Sequence, residues 1–345
     1  MIFLRVLVFP FAVLYDLVTR IRNALYDLGL KPTARFEIPV ISVGNLVVGG
    51  TGKTPVVEHL IRLLYIAYPV ATLSRGYGRK TKGFRVAREE DNALTLGDEP
   101  FQLYRKFSDK AVIAVGEERA FAIPNILDQF PDTGVIVMDD AYQHRQVTPL
   151  INILLTDFNR PFYLDFLMPA GRLRESRKGA SRADAVVVTK CPAEISDDTM
   201  MDIEKAIRKY CDKPIFFSRI HYGNPVPFRM TAKPMGEKVI LVSGLANAKP
   251  LVGYVRKNFD LIHHLDYPDH YVYTVNDLDK IRKLASAEPG ISILTTEKDA
   301  TKMDIHLFDS VTSAVPFFYL PIEVEFIKSG KDFDEMVLNA IKRVP

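Results

Sequence analysis

Glu37-Ile38-Pro39-Val40-Ile41-Ser42-Val43 runs directly into Gly44-Asn45-Leu46-Val47-Val48-Gly49-Gly50-Thr51-Gly52-Lys53-Thr54. Pro55-Val56-Val57-Glu58-His59-Leu60-Ile61-Arg62-Leu63-Leu64 follows. The first run is short, β-branched and bounded by Pro and Gly, the pattern of a buried parallel strand, and the last has helical spacing. Strand, glycine loop and helix in that order predict a P-loop. Glycines let backbone N–H groups and the helix N-terminus face phosphate charge. Gly49, Gly50, Thr51 and Gly52 would form the cradle, Lys53 would reach the β- and γ-phosphates of ATP, and the Thr54 hydroxyl would ligate Mg²⁺. Val47 stands where the usual pattern has its first glycine.

Outward from this stretch the chain alternates apolar runs with helical ones. Gly134-Val135-Ile136-Val137-Met138 reads as a second buried strand, and it ends in Asp139-Asp140. Carboxylates at that edge of a parallel sheet are placed to hold Mg²⁺ directly or through water, with Gln143 following close by. Leu96-Gly97-Asp98-Glu99-Pro100 opens a helical stretch, where acids are already favourable as a helix start. Arg75 lies in a basic loop after the strand Val70-Ala71-Thr72-Leu73, and Arg174 in another after Pro169. Arginine forks suit phosphate, although either loop also reads as solvated surface. Ala185-Val186-Val187-Val188-Thr189-Lys190 is a further buried strand; Cys191-Pro192 follows the lysine where guanine-specific enzymes carry Asn-Lys-x-Asp, so ATP is the better fit.

The expected fold is an α/β P-loop parallel-sheet domain with a second, smaller α/β domain on a two-stranded linker. Residues 31–214 form the first domain, to which a helix in 330–345 returns. Residues 215–235 and 315–328 are linker strands, and 236–314 the smaller domain. In the latter, Tyr267-Pro268-Asp269-His270-Tyr271 and Thr296-Glu297-Lys298-Asp299 concentrate polar groups at loops. A cleft between two domains suits a two-substrate site.

Of the 45 basic and 42 acidic residues, five and two fall within residues 1–35, which leaves the remainder balanced at 40 against 40. That balance lacks the basic stripe of a nucleic-acid binder. Two cysteines, Cys191 and Cys211, make no disulfide framework and fit a reducing compartment. The basic excess flanks an apolar segment in which Leu7, Phe11, Leu14, Val18, Ile21, Leu25 and Leu28 recur at steps of four and three, one face of a helix. Its uninterrupted apolar run is too short to span a bilayer, and no small-residue cleavage site follows. Residues 1–30 therefore read either as a core helix or as a helix in the membrane plane, and the flanking basic groups favour the second.

Seven segments together resemble the tetraacyldisaccharide 4′-kinase family of lipid A biosynthesis. They are SVGNLVVGGTGKTP from Ser42, SRGYGR from Ser74, GDEP from Gly97, DDAYQH from Asp139, LRE from Leu173, PDH from Pro268 and TEKDATK from Thr296. The glycine spacing around Val47 is the family's own variant; Ala141-Tyr142 departs from its commoner Gly-Phe. The resemblance implies transfer of the ATP γ-phosphate to the 4′-hydroxyl of an acylated glucosamine disaccharide 1-phosphate. Asp98 would be the base, with His270 oriented against it. Glu99, Asp139, Asp140 and Gln143 would organise Mg²⁺, and Arg75, Arg174 and Lys298 would contact ATP or substrate phosphate. It also implies a peripheral enzyme at the cytoplasmic face of the bacterial inner membrane, with a lipid-linked substrate and no obligate protein partner. The rival reading is a P-loop ATPase switch, or metallochaperone-like protein, which would turn over ATP in response to a protein rather than a lipid acceptor.

Overall fold

The apolar run before the glycine loop forms β1 (Val40–Asn45), and the helical run after it forms α2 (Lys53–Leu64). The computed structural model describes residues 2–228, 234–303 and 315–343, with side chains from Val8 onward. Parts of the expected linker and smaller domain, 229–233 and 304–314, therefore lie outside the described residues, as do the side chains of Phe3 and Leu7.

β1 is central in a nine-stranded sheet. In spatial order the strands are β14 (Ile322–Lys328), β8 (Ile215–Tyr222), β7 (Ala185–Thr189), β6 (Ile151–Asp157), β1, β5 (Val135–Asp139), β2 (Val70–Ser74), β4 (Ala111–Val115) and β3 (Arg85–Val86). Only the outermost pairings, β14 with β8 and β3 with β4, are antiparallel. Both faces of the sheet are covered, which is why its strands are apolar throughout rather than alternating. Ile41 and Val43 pack with Val56, Leu60 and Ile61 of α2 and with Phe333 and Val337 of the last helix, α10 (Gly330–Ile341). Val40 and Ile136 face the other way, against Ile123 and Ile126 of α5 (Arg119–Gln129). Helices α3 (Ala93–Leu96) and α4 (Asp98–Phe107) lie between β3 and β4 in sequence, and α6 (Asp197–Ile207) between β7 and β8.

A second, five-stranded sheet runs β11 (Asp260–Tyr267), β10 (Lys238–Gly244), β12 (Ser292–Thr296), β13 (Phe317–Leu320) and β9 (Val226–Pro227). It carries α7 (Lys249–Asn258), α8 (Val275–Ala287) and the short α9 (Glu297–Lys302). The linker strand expected over 315–328 is two strands: β13 belongs to the smaller sheet and β14 to the larger. Pro321 separates them, because it has a fixed φ and no N–H to donate; its carbonyl instead accepts from Gly223 N at 2.9 Å. β8 and β14 pair with each other and, through β7, also complete the edge of the large sheet.

The N-terminal helix α1 (Ile2–Asp27) runs through Pro10 and lies on the larger unit by its polar side. The Tyr15 hydroxyl donates to Arg174 O at 2.9 Å, Arg22 to Gln143 O at 2.8 Å, and Asn23 to Glu175 Oε2 at 2.7 Å. Arg145 closes the far end on Asp27 at 2.6 Å. The apolar side points away: Phe11 is 65% exposed, and Leu14, Val18 and Ile21 are similarly open. A soluble helix docks the other way round. No described helix is long and apolar enough to cross a membrane.

Candidate active site

The phosphate loop is held by its own side chains and by two neighbouring strands. Gly52 caps α2 with φ of 80°, and Gly49 has φ of 115°, both in the region that favours glycine. Asn45 Nδ2 donates to Thr51 Oγ1 at 2.7 Å, and Thr189 Oγ1 at the end of β7 donates to Thr51 O, also at 2.7 Å. The Lys190 ammonium donates to Gly50 O and pairs with Asp157 at 2.9 Å. Carbonyls 50 and 51 are thereby both engaged as acceptors. Val47 is buried with Leu46, Tyr142 and Leu173 and bridges to Leu173, so the position needs an apolar side chain rather than a glycine. Thr54 follows Lys53 in the first turn of α2 and is partly exposed.

Parallel register sets Val43 opposite Asp139, which brings the acidic pair beside the loop. Lys53 Nζ lies 3.5 Å from Asp140 Oδ1, and Arg174 donates to both Asp140 oxygens at 3.1 and 3.2 Å. Those cations outweigh burial and hold the Asp140 carboxyl below its usual range. Asp139 is different. Burial pushes it up to about 6 against the pull of Lys53, with Asp140 and Glu99 adding to the rise. Its Oδ1 is buried and has no hydrogen-bond partner. Gln143 is tied in by Nε2 to Asn45 O at 2.8 Å and to Glu175 Oε1 at 3.0 Å, while its Oε1 accepts from Arg174 at 3.3 Å.

The second half of the site comes from α4 and the smaller sheet. Gly97 stands before α4 with φ of 96° and ψ of 157°, and a Cβ there would meet Tyr77 O at 2.9 Å. A Cβ on Gly76 would meet Leu96 O at 2.6 Å, so two glycines permit the close approach of these loops. Asp98 starts α4, and its Oδ2 meets His270 Nδ1 at 2.9 Å across 172 positions of sequence. Lys302 Nζ is 3.5 Å from the same oxygen. Burial would raise the Asp98 carboxyl, but His270, Lys302 and Lys298 together hold it low. The hydrogen bond to Asp98 in turn raises His270, against burial. Lys298 is engaged with Glu99 at 3.0 Å and Asp269 at 3.2 Å, and the exposed Tyr77 ring lies 5.7 Å from that of His270.

These geometries put Lys53, Asp139, Asp140, Gln143 and Arg174 in one cluster, with Glu99 near enough to act on Asp139. Arg75 is set apart from the hydrogen-bonded groups: it is exposed after β2, within electrostatic reach of Arg119 and His144. A model of the family described as tetraacyldisaccharide-1-P 4′-kinase matches residues 4–342. The chain belongs to the tetraacyldisaccharide 4′-kinase family. It is 44% identical to the tetraacyldisaccharide 4′-kinase of Flavobacterium johnsoniae over 98% of both chains. It is 40% identical to that of Cytophaga hutchinsonii over 94% of this chain and 92% of the relative. A crystal structure of the "apo" form of LpxK from Aquifex aeolicus in complex with ATP is similar, with a TM-score of 0.77 and 28% identity over 98% of this chain and 99% of that one. The activity expected from the sequence, an ATP-dependent tetraacyldisaccharide 4′-kinase of lipid A biosynthesis, is that of its family.

Three contributors had no expected role, although Glu175 and Lys302 lie in the LRE and TEKDATK segments that carry the family resemblance. Arg119 is wholly buried, donates to the Gly116 carbonyl and reaches Asp139 O at 3.4 Å, and burial lowers it to about 10. Glu175 fastens Gln143, Asn23 and Arg182 together. Lys302 joins Asp98. Arg119 lies outside those segments, and no spacing rule in the sequence separates a buried Arg from an exposed one.

Proposed function

We propose that this chain transfers the γ-phosphate of ATP to the 4′-hydroxyl of an acylated glucosamine disaccharide 1-phosphate, with Asp98 as base and His270 orienting it. The observation that carries this reading is the 2.9 Å contact between Asp98 and His270, next to Glu99, which acts electrostatically on Asp139 beside the phosphate loop. Phosphoryl transfer has a loose transition state, so placement and charge neutralisation matter more than base strength. A carboxylate held low suits that task. Asp98 accepts the hydroxyl proton as the oxygen bonds to the γ-phosphorus and the bond to the ADP oxygen breaks, and His270 and Lys302 fix the carboxylate meanwhile. Gly49, Gly50, Thr51 and Gly52 cradle the phosphates, Lys53 neutralises them, and Arg75, Arg174 and Lys298 contact ATP or substrate phosphate, the last two beside the carboxylates they already pair with.

The acids fit a magnesium ion. The buried Asp139 Oδ1 is a hard donor without a hydrogen-bond partner, and Asp140 beside it, paired with Lys53 and Arg174, offers a second carboxylate. Mg²⁺ takes one or two carboxylates and otherwise phosphates and water. Thr54, Asp139 and Asp140 would hold it, with Glu99 and Gln143 reaching its waters. When bound, the ion supplies neutralisation of the developing phosphate charge.

The acceptor is a lipid, and the outward apolar side of α1 provides a way to reach it. On this reading α1 lies in the plane of the cytoplasmic leaflet of the inner membrane, its basic flanks near the headgroups. Because Tyr15, Arg22 and Asn23 fasten α1 to the segments that carry Arg174, Gln143 and Glu175, the membrane side and the site keep a fixed relation.

The test is a pair of variants assayed with and without lipid acceptor. Asp98→Asn should bind an ATP analogue within about threefold of wild type and lose at least about 100-fold in kcat, the size expected for a removed base. His270→Ala should lose less, and the double variant little more than Asp98→Asn alone. Near-wild-type turnover by Asp98→Asn, or ATP hydrolysis indifferent to the acceptor, would overturn the assignment.

A further inference from the structure

Helix α4 presents Asp98, Gln102 and Lys106 at intervals of four, a single stripe along one side. Its first turn meets His270 and Lys302, and its last meets a junction of three elements. There Lys106 Nζ lies 2.7 Å from Glu58 Oε2 and 2.9 Å from Glu297 Oε2. Glu58 belongs to α2, the helix that the phosphate loop opens, and Glu297 begins α9 of the smaller unit. Gln102 spans the same two acids, donating to Glu58 Oε1 at 3.0 Å and reaching Glu297 Oε2 at 3.4 Å. Arg105 adds a contact to Ala300 O at 3.5 Å.

Three features make this more than surface pairing. The Glu58 side chain is 1% exposed and Glu297 only 12%, so neither charge is well screened by water. The two carboxylates share one ammonium. Arg62 also pairs with Glu58, at 3.2 Å, but not with Glu297, so without Lys106 the Glu297 carboxylate would face Glu58 across the seam and lose the cation it pairs with. And α9 continues from Glu297 to Lys298 and Lys302, which contact Glu99 and Asp98, so a shift at one end of α9 is felt at the other.

We propose that Lys106 is a positioning residue: by holding Glu58 of the phosphate-loop helix and Glu297 of the smaller unit on one ammonium, it docks α9 on α4 and so delivers His270 to Asp98. This rests on the assignment of Asp98 and His270 above. Lys106 touches none of the reacting groups. It acts through the seam, about 12 Å along α4 from Asp98 by helical rise.

The experiment uses the full chain, ATP and lipid acceptor dispersed in detergent, with Lys106→Met, Lys106→Arg and Glu297→Gln each made alone and in a His270→Ala background. Lys106→Met should lower kcat about tenfold with KM for ATP within about twofold, since the phosphate loop itself is braced elsewhere. Lys106→Arg should recover kcat to within about threefold of wild type, as it restores the cation. In the His270→Ala background Lys106→Met should cost less than about twofold, because the residue it delivers is gone. Glu297→Gln should show the same dependence on His270, and it carries the test if Lys106→Met does not fold. Losses that multiply in full with His270→Ala, or wild-type kcat in both Lys106→Met and Glu297→Gln, would overturn the proposal. If Asp98→Asn keeps wild-type kcat, the base assignment fails instead, and the two failures are told apart.

Discussion

From Val40 to Leu64 the phosphate side of the site is one unbroken stretch of chain, and its braces are Asn45 within it and Thr189 and Lys190 beside it. The proposed acid–base side joins Asp98 to His270 across 172 positions, by side chains alone, at the seam between two sheets. The first is backbone geometry held in a buried strand and helix. The second is a set of ion pairs among partly exposed groups. A site built in these two ways should divide its functions accordingly: nucleotide binding should resist changes at a distance, and turnover should be sensitive to anything that alters how the two units meet.

The largest effect that would sharpen this contrast is at Lys53. Lys53→Ala removes the cation that faces Asp140 and that, on the proposed function, neutralises the phosphates, and kcat should fall about 10³-fold, the upper range for loss of one charge-stabilising group. Steady-state kinetics at saturating ATP is the check; turnover within tenfold of wild type would break the P-loop assignment.

Gly97→Ala probes the other side through the backbone. Gly97 sits in a conformation that is essentially reserved for glycine, with Tyr77 O at 2.9 Å from the added carbon. The variant should lose about 1–3 kcal/mol in urea unfolding. It should lose kcat more than affinity for an ATP analogue, because the displaced residue is the one before Asp98. Equal losses in both would show that the two sides are not separable.

The Asp98–His270 contact should also appear in the pH dependence of stability. His270 is raised in the folded chain, so its contribution is fully present below the ordinary histidine value of 6.5 and is lost as pH rises through the raised one. Asp98 is lowered, so its contribution is present above the ordinary 3.8 and is lost as pH falls through the lowered value. The difference in urea midpoint between wild type and His270→Ala should therefore be greatest in the mildly acidic range and shrink toward alkaline pH. A difference that grows with pH would show that the pair is not ionised as described.

The smallest effect on the folded chain is expected at α1. Replacing Phe11, Leu14 and Val18 together by Asp should change the unfolding midpoint little, since these side chains are open to solvent and surface changes usually stay within about 0.5 kcal/mol each. Co-sedimentation with anionic vesicles should nevertheless fall at least about tenfold, while turnover of detergent-dispersed acceptor stays near wild type. Unchanged sedimentation would remove the in-plane reading of this helix.

What the sequence alone determined is what neighbours along the chain decide. A β-branched apolar run, glycines that admit positive φ and a helix opened by Lys-Thr specify strand, loop and helix within about 25 residues, and the P-loop was legible there because each part is set by local propensity. Asp139 at a strand end was legible for the same reason. The pairing of Asp98 with His270 came only from likeness to a family, because no periodicity links residues so far apart. Tertiary structure decided the rest. Two strands rather than one around Pro321 follow from which sheet offered partners on each side of a residue that cannot donate. The orphaned oxygen of Asp139 and the burial of Arg119 depend on what packs above β5. The direction of α1 is the plainest case: an amphipathic pattern shows that a helix has two unlike sides, but only the arrangement of Arg174, Gln143 and Glu175 turns the polar one inward, since those groups offer its Tyr15, Arg22 and Asn23 hydrogen bonds that an apolar side could not accept.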